Sequence, residues 1–229
     1  MAKFNVTIFT LFPDMFMGIL GESLLGKALE KDIWSLKIVN IRDYATDKHN
    51  TVDDTPYGGG HGMVMKPDVI GKAIDENCDV ENTKFYFMSP RGKVFHQKKV
   101  VEVLGNTNIA ILCGRYEGVD QRVIDEYKME ELSIGNYVLT GGELPAMVIL
   151  DTCVRCLPDV VGDEKSLIED SFGGAGKSDY DDLLEYPLYT KPAKWRGRGI
   201  PEVLMSGHHK NIEDWKLKKA REITEERRG

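Results

Sequence analysis

Residues 84–118 read KFYFMSPRGKVFHQKKVVEVLGNTNIAILCGRYEG, and this stretch carries the signature of the fold class. Two apolar runs within it, Lys84 to Ser89 and Ile109 to Cys113, have the length and the flanking residues of buried parallel strands. Between them, His96 to Leu104 has the pattern of a helix. A strand, a helix and a second strand in this order predict an α/β domain with a mainly parallel sheet.

The same alternation continues on both sides of this stretch. Phe4 to Phe12 is rich in β-branched and aromatic residues, which predicts another buried strand, followed by a helix with Pro13 in its first turn. Val119 to Tyr127 predicts a helix. A further helix is expected from about Leu144 to Leu157, with Pro145 in its first turn.

The helical pattern then gives way to acids, glycines and serines, which predicts a flexible acidic linker at residues 161–178. The linker would separate a domain at residues 1–160 from a smaller one at residues 179–229. Within the smaller domain, Ile212 to Arg228 has the pattern of a long helix, with Asn211 as its expected N-cap.

The composition is that of an ordinary soluble globular protein, with 229 residues of which 41% are hydrophobic and 29% are charged. The sequence has neither an apolar run of the length of a membrane span nor the pattern of a cleaved leader, so we expect the protein in the cytoplasm. Its four cysteines are too few and too scattered for a secreted disulfide framework, and we expect them to be reduced thiols.

The charge is unevenly distributed along the chain. A formal net charge of −7 argues, taken alone, against a nucleic-acid-binding protein, because phosphate contacts come from Lys and Arg. Residues 159–187 contain nine acids and two bases, whereas residues 189–229 contain eleven bases and six acids. The C-terminal part therefore has the local charge of an RNA-binding surface. A solvated helix face would have the same composition, so both interpretations stay open at this point.

Two short motifs resemble sites of other protein classes. Ser171 to Ser178 (SFGGAGKS) nearly matches the phosphate-binding loop of nucleotide hydrolases, but Ser171 stands where that motif has its first Gly, and no core strand precedes it. Cys153 and Cys156 have the spacing of a redox or zinc pair, but they lie at the end of a predicted helix and have no second pair. We interpret these cysteines as core residues.

Glycines cluster at three places: Tyr57 to Met63 (YGGGHGM), Gly114 to Gly118 (GRYEG) and Ile134 to Pro145 (IGNYVLTGGELP). The last two follow strand-like runs, where a parallel sheet presents its ligand crevice. A further segment, Ser89 to Gly92, stands at another strand end. Glycine permits close backbone approach, so these loops are suited to surround a flat heteroaromatic ligand. One cluster alone would indicate only a tight turn, whereas together they predict a shared site.

These strings also carry a resemblance to a known family. Tyr57 to Met63, GRYEG, the run Ile134 to Met147 (IGNYVLTGGELPAM) and the segment Glu169 to Phe172 are similar to segments of the bacterial tRNA (guanine-N1)-methyltransferase family, which belongs to the SPOUT superfamily. GRYEG and IGNYVLTGGELPAM, in this order and at this spacing, are highly specific. The similarity extends from Phe4 to near the end of the chain.

The resemblance implies a SPOUT-type α/β fold whose mainly parallel sheet domain forms a deep trefoil knot, followed by a small helical C-terminal domain that binds tRNA. It implies a homodimer with the active site at the subunit interface, no membrane or DNA partner, and S-adenosyl-L-methionine as methyl donor. Assistance by Mg²⁺ is implied too, without a readable ligand set. The residues that would line or support the cofactor site are Gly114, Ile134, Gly135, Asn136, Tyr137, Val138, Leu139, Ser89, Pro90, Gly141, Gly142 and Pro145.

The implied reaction methylates N1 of the guanine at tRNA position 37, on the 3′ side of the anticodon. Asp170 matches the family's general base and Arg155 its catalytic arginine. Neutral guanine carries a hydrogen on N1, which a carboxylate can accept, and an arginine can stabilise the negative charge that then grows on O6. Asp170 lies in the acidic linker, so we expect this loop to order over the site when tRNA binds. Without the resemblance, Asp170 would be one more solvated acid and Arg155 a helix-end charge.

The sequence departs from the family pattern at His61, Asn136, Thr140 and His208, where the family usually has Pro, Asp, Ser and Asn. None of these positions carries a catalytic role, so the departures concern contacts around the cofactor and not the reaction. Two other functions remain alternatives: methylation of a ribose 2′-hydroxyl within the same fold, and RNA binding that senses the cofactor without turnover. The presence of both catalytic candidates argues against the second alternative.

Overall fold

The computed structural model describes residues 3–173 and 178–228. The chain divides into two units, Met1–Gly162 and Asp163–Gly229. Residues 174–177, which belong to the predicted linker and include Lys177 of the motif that resembles a phosphate-binding loop, lie outside the described residues.

Strands and helices alternate along the first unit. Its strands are β1 (Phe4–Thr10), β2 (Trp34–Asn40), β3 (Asp53–Asp54), β4 (Val64–Met65), β5 (Lys84–Val94), β6 (Asn108–Leu112) and β7 (Glu130–Ser133). Its helices are α1 (Met17–Leu20), α2 (Ser23–Glu30), α3 (Pro67–Asp75), α4 (Lys99–Leu104), α5 (Gln121–Glu126) and α6 (Glu143–Val154). Short 3-10 helices lie at Pro13–Met15, Ile41–Tyr44 and Val80–Asn82.

The second unit is smaller. Its elements, in chain order, are α7 (Glu164–Glu169), β8 (Lys194–Trp195), β9 (Arg198–Gly199), α8 (Glu202–Met205) and α9 (His209–Arg228).

Five strands of the first unit form one sheet in the order β2-β1-β6-β5-β7, and each neighbouring pair is parallel. The prediction of an α/β fold with a mainly parallel sheet is therefore confirmed. Because these strands run in one direction, the carboxyl ends of β5, β6 and β7 meet at the same edge of the sheet, where open α/β sheets bind their ligands.

Both faces of this sheet are buried, as the continuous apolar runs of its central strands require. Along β6, Ile109 and Ile111 belong to one hydrophobic cluster, while Ala110 and Leu112 belong to a second one. This alternation follows from the period of two in a strand. The first cluster includes residues of α6 and the second includes residues of α3, so helices cover the sheet on both sides.

β5 extends beyond the predicted strand, which ended at Ser89. Its pairing with β7 shifts register between Met88 and Lys93, so the residues between them leave the regular ladder. A Cβ atom on Gly92 would lie 2.4 Å from the carbonyl carbon of Glu131, so only glycine fits there. Residues Ser89 to Gly92 (Ser-Pro-Arg-Gly) therefore bulge out of the ladder, and Lys93 and Val94 pair with β7 again.

The predicted helices α4, α5 and α6 are present but shorter, whereas the helix expected with Pro13 in its first turn is a three-residue 3-10 helix, Pro13–Met15. α5 begins at Gln121 because the Asp120 side chain caps it by accepting a hydrogen bond from the backbone N–H of Arg122. α6 ends at Val154, three residues before the predicted end, so Arg155 is the residue that follows the helix.

The second unit differs from the sequence prediction in two places. The predicted linker contains a helix, α7. α9 begins at His209, so the prediction that Asn211 caps this helix was wrong. The backbone N–H of Ile212 donates to the carbonyl oxygen of His208 at 3.1 Å, so the first turn of the helix already closes on His208.

Candidate active site

A cavity of about 330 Å³ opens at the edge of the sheet where β5, β6 and β7 end. Its walls come from the end of β5, the loop after β6, the loop between β7 and α6, and the first turn of α6. The lining residues fall within 87–91, 114–119, 132–135 and 137–142, together with Pro145. The cavity therefore lies where a parallel α/β sheet presents ligands, between loops rich in glycine.

Two glycines allow the loops to approach each other. A Cβ atom on Gly114 would lie 2.9 Å from the Phe87 ring, and one on Gly142 would lie 2.8 Å from the Cα of Cys113. The backbone N–H of Gly142 donates to the carbonyl oxygen of Gly114 at 3.0 Å. Because no larger residue fits at either position, the glycines hold the two loops in direct backbone contact.

The loop between β7 and α6 is held by its own side chains. The Ser133 hydroxyl donates to the carbonyl oxygen of Gly135 at 3.0 Å and accepts from the N–H of the same residue at 3.2 Å. The Tyr137 hydroxyl donates to the carbonyl oxygen of Ile134 at 3.2 Å. Tyr137 and Val138 are 54% and 84% exposed. The loop therefore combines a fixed backbone with apolar side chains that are open to a ligand.

A buried ion pair joins the two loops beneath the cavity. Glu143 is 1% exposed, and its carboxylate accepts a hydrogen bond from the Thr10 hydroxyl at 2.8 Å. Arg115 Nη2 lies 2.9 Å from the other carboxylate oxygen of Glu143, and Arg115 Nη1 donates to the carbonyl oxygen of Thr140 at 3.3 Å. The 2.9 Å contact is an ion pair and not an aligned hydrogen bond. Arg115 thus ties the GRYEG loop to α6 and to the loop before it.

The surroundings of Arg115 leave little free space. A Cβ atom on Gly141 would lie 2.4 Å from Arg115 Nε and 2.5 Å from Glu143 Oε2. The guanidinium carbon of Arg115 lies 4.3 Å from the centre of the Phe12 ring. The side chain of Arg115 is 17% exposed, so the pair is largely shielded from water.

The first glycine cluster borders the cavity without lining it. The backbone N–H of Glu117 donates to the carbonyl oxygen of Met63 at 3.0 Å. Gly62 has a φ of +86°, and a Cβ atom there would lie 2.5 Å from the Glu117 carboxylate. Tyr57, at the start of this cluster, is fully exposed. The cluster therefore supports the GRYEG loop from outside.

All the residues that were predicted to surround the cofactor, except Asn136, line this cavity. Among the lining residues that the predicted cofactor list omitted are Arg91, Arg115, Tyr116 and Glu117. The last three belong to the GRYEG string, whose specificity was recognised, although only its first glycine was assigned to the site.

The two predicted catalytic residues belong to different units. Arg155 belongs to the first unit, is partly buried and directly follows α6, where its backbone N–H donates to the carbonyl oxygen of Asp151 at 3.2 Å. Asp170 belongs to the second unit, is partly buried and directly follows α7.

The segment that carries Asp170 is fastened to α9. Glu169 accepts hydrogen bonds from Lys216 Nζ, at 2.7 Å, and from the Tyr186 hydroxyl. The backbone N–H of Gly173 donates to the carbonyl oxygen of Asp170 at 2.9 Å, which closes a turn. The residue before Asp170 is thus held by a charged group of the long helix.

These contacts change the pKa values of side chains around Asp170. Burial acts to raise the pKa of Glu169, but the hydrogen bonds from Lys216 and Tyr186 outweigh it and hold this pKa below its usual range. Burial and the hydrogen bond to Glu169 raise the pKa of Tyr186 to about 12. Burial and the negative charge of Asp170 raise the pKa of Glu185, so a second carboxyl group lies within electrostatic reach of Asp170.

In the described part of the chain, neither motif of another protein class has the structural context that its site requires. Cys153 is fully buried in the hydrophobic core, and burial, with a smaller effect of Cys156, raises its pKa to about 12, which confirms the core-packing interpretation. Ser171 follows the helix α7 and not a strand, so the context of a phosphate-binding loop is missing.

Among residues 3–173 and 178–228, no helix has the length and apolar character to cross a membrane.

Comparison with known proteins gives a match over nearly the whole chain. Residues 4–229 match the family described as tRNA (Guanine-1)-methyltransferase TrmD. A tRNA (guanine-N(1)-)-methyltransferase of Wolbachia pipientis wMel is 55% identical over 226 residues, which cover 98% of this chain and 94% of the relative. The enzymes of the same name from Rhodospirillum rubrum and Rickettsia akari are 53% and 49% identical, over 98% and 100% of this chain and 90% and 97% of the relatives.

Proposed function

The chain belongs to the tRNA (guanine-1)-methyltransferase family, and on that premise we propose that it transfers the methyl group of S-adenosyl-L-methionine to N1 of the guanine at tRNA position 37. The observation that carries this proposal is the match over residues 4–229, together with a cavity built from the loops that make the match specific. We place the enzyme in the cytoplasm, where unmodified tRNA is available.

The cavity fits the cofactor in volume and in the character of its walls. Its 330 Å³ falls in the range of small-molecule sites, and the walls combine backbone groups of glycine loops with exposed apolar side chains. A Cβ atom at Gly114 or Gly142 would clash with the wall itself. The residues that would hold the cofactor are Ser89, Pro90, Gly114, Ile134, Gly135, Tyr137, Val138, Leu139, Gly141, Gly142 and Pro145. When bound, S-adenosyl-L-methionine supplies a methyl group on a positively charged sulfur, which is an activated donor.

Asp170 and Arg155 are the residues that we assign to proton transfer and charge stabilisation. Guanine N1 becomes a nucleophile when its proton leaves, and the Asp170 carboxylate would accept that proton. The charge left behind is shared with O6, where the guanidinium of Arg155 would donate hydrogen bonds. The contacts of Glu169 with Lys216 and Tyr186 support this role, because they fix the backbone from which Asp170 projects.

We also propose the homodimer. α6 is apolar on nearly all sides, yet Leu144 and Val148, four residues apart on one face, are 47% and 46% exposed. Further large apolar side chains are exposed in the N-terminal segment: Phe12, Met15, Met17, Ile19 and Leu24. An apolar surface of this kind is typical of a subunit interface. Val148→Asp should lower the molecular mass measured by sedimentation equilibrium, whereas Val80→Asp, at another exposed valine, should leave it unchanged.

The trefoil knot and the tRNA-binding role of the C-terminal residues 179–229 are carried over from the family in the same way.

Mg²⁺ is part of the proposal without an assigned site. Within the part of the chain that the structure describes, no group of three or more His, Cys, Asp or Glu side chains could hold a metal ion. The side chains of the described residues alone therefore do not fit a complete magnesium site, and we assign no step to the ion. Phosphate groups and waters often complete the coordination of Mg²⁺, so the complex with tRNA is where we would measure its effect.

Single-turnover methyl transfer to a tRNA transcript that carries guanine at position 37 tests the reaction and its base. The wild type should form N1-methylguanosine, identified after digestion to nucleosides, and Asp170→Ala should slow this step by at least about 100-fold. Asp179→Ala removes an exposed acid nearby in the sequence and should leave the rate unchanged.

Each other outcome has a distinct meaning. Base methylation that survives Asp170→Ala would keep the enzyme and reject Asp170 as the base. A methyl group on a ribose instead of the base would point to 2′-O-methylation, and binding of tRNA and cofactor without transfer would point to a protein that only binds.

A further inference from the structure

The second unit carries a two-stranded antiparallel hairpin formed by β8 and β9. Trp195 pairs with Arg198 across the hairpin, and Lys194 pairs with Gly199. The two residues at the tip, Arg196 and Gly197, have φ values of +51° and +81°, as a two-residue hairpin turn requires. Directly paired residues point to the same face, so the side chains of Trp195 and Arg198 are neighbours.

An indole ring stands open to solvent on this hairpin. Trp195 is 59% exposed, whereas Trp34 in the first unit is fully buried. The guanidinium carbon of Arg196 lies 4.8 Å from the centre of the Trp195 ring, which covers the ring from one side. A large apolar ring that is held by a cation and exposed on a short hairpin forms a stacking platform.

The hairpin lies in a stretch of the chain that contains basic residues and no acidic ones. Residues 188–199 are all exposed, and they contain four bases and no acid: Lys191, Lys194, Arg196 and Arg198. Among the described residues, none of these four side chains forms an ion pair. Cations without a carboxylate partner are available for phosphate groups.

Three of the seven cations of α9 differ from those of the hairpin, because each lies close to a carboxylate. Lys216 is paired with Glu169 at 2.7 Å, Lys219 with Glu222 at 2.6 Å, and Lys218 lies 3.9 Å from the same Glu222. Each must give up a carboxylate before it can bind a phosphate. α9 also contains five acids, whereas residues 188–199 contain none, so the hairpin is the better surface for a polyanion.

We propose that the β8–β9 hairpin is a tRNA contact, in which Trp195 stacks on a base while Lys194, Arg196 and Arg198 bind phosphates. An unpaired base is the partner that fits, since bases inside a duplex are already stacked on each other. This inference rests on the proposed function for the identity of the RNA. It places the RNA-binding role on a 6-residue hairpin, Lys194 to Gly199, instead of on the long helix.

Equilibrium binding of the unmodified tRNA transcript to the full-length protein tests the stacking contact. Trp195→Ala should raise the Kd by about 5- to 100-fold, the usual effect of losing one stacked base. Trp195→Phe keeps an aromatic face and should stay close to the wild type. An unchanged Kd in Trp195→Ala, or an equal loss in both variants, would overturn the stacking role.

The salt dependence of the Kd tests the phosphate contacts. With Lys194, Arg196 and Arg198 all changed to Gln, the slope of log Kd against log salt concentration should fall by about 2 to 3, because each lost phosphate contact removes about 0.7–0.9. The matched control Lys218→Gln, on α9, should change the slope little. A slope that the triple variant leaves unchanged would overturn the surface assignment.

Methyl transfer measured on the same variants separates this inference from the proposed function. The hairpin variants should raise the KM for tRNA and leave the rate at saturating tRNA and the Kd of S-adenosyl-L-methionine unchanged. A wild type that binds tRNA through the hairpin but forms no N1-methylguanosine would reject the proposed reaction and keep the hairpin contact. Normal methylation with full tRNA affinity in all hairpin variants would reject the hairpin contact alone.

Discussion

Replacing Glu143 by Ala should destabilise the first unit by about 3 kcal/mol or more, since it leaves a guanidinium without its counter-charge. The carboxylate is 1% exposed, accepts a hydrogen bond from Thr10 at 2.8 Å and faces Arg115 at 2.9 Å. Removing one partner of a buried ion pair costs about 3–5 kcal/mol. We expect the lower end of that range, because the Arg115 side chain keeps 17% of its surface exposed and water can partly solvate it.

For a protein of this length, about 1 kcal/mol corresponds to about 2–4 °C in Tm, so Glu143→Ala should melt about 6–12 °C below the wild type. Thermal unfolding followed by far-ultraviolet circular dichroism measures this difference. Glu126→Ala removes an exposed carboxylate at the end of α5 and should change the free energy of unfolding by no more than about 0.5 kcal/mol. Glu143→Ala should also bind S-adenosyl-L-methionine more weakly, because Arg115 no longer fixes Thr140 at the cavity wall.

A double-mutant cycle with Arg115→Ala isolates the ion pair from the other losses at Glu143. When both charges are absent, neither remains buried alone, so the double variant should lose less stability than the sum of the two single variants. We expect a coupling energy of about 1–3 kcal/mol. Additive effects, with a coupling energy below about 0.5 kcal/mol, would refute the reasoning that this pair holds the two loops together.

Three further expectations concern the cavity, the core and the second unit. Gly142→Ala should weaken cofactor binding, measured by calorimetry, because its Cβ atom would lie 2.8 Å from neighbouring backbone, whereas Gly162→Ala has open space and should bind normally. Cys153 and Cys113 should resist alkylation in the native protein, because both are buried and burial raises the pKa of each thiol. Rapid labelling of either cysteine, located by mass spectrometry, would contradict the core packing. The pKa of Glu169 is depressed, so its pairing stabilises the protein above the ordinary glutamate pKa of 4.5 and loses that effect as the pH falls through the lower folded value. The Tm difference between wild type and Glu169→Gln should therefore be present at pH 7 and shrink below pH 4.5. A Tm difference that does not change with pH would argue against this pairing.

The sequence predicted those strands whose residues are apolar on both faces and missed those at the sheet edges. β1, β5 and β6 lie inside the sheet, where continuous apolar runs are required. β7 is an edge strand of four residues that begins with two acids. Glu130 pairs with Lys84 at 3.1 Å and Glu131 with Arg91 at 3.1 Å, so this strand is stabilised by charges from other segments. Such long-range pairing leaves no local pattern to recognise.

The candidate site, like the sheet, has parts that local sequence patterns predict and parts that only the fold brings together. Glycine clusters at strand ends are local features, and two of the three, Gly114 to Gly118 and Ile134 to Pro145, supply much of the cavity wall. The ion pair of Arg115 with Glu143, and the Thr10 hydroxyl that binds the same carboxylate, could not be predicted. Thr10 and Glu143 are 133 residues apart in the sequence, and only the fold brings them together. The sequence identifies Glu143 as one charged residue at the start of a helix, where an exposed position is the ordinary expectation.

A net charge of −7 is compatible with a tRNA substrate because what matters is which cations lack a partner. Of the eleven bases in residues 189–229, seven lie in α9 and four in residues 191–198. A count along the sequence therefore favours the helix as the RNA-binding element. α9 also contains five acids, and three of its lysines lie within 4 Å of a carboxylate. A phosphate gains little from a cation that must first leave such a partner, whereas an unpaired guanidinium on the hairpin exchanges only water and a counterion. At equal numbers of neutralised cations, hairpin variants should therefore lose more tRNA affinity than variants of the three paired α9 lysines.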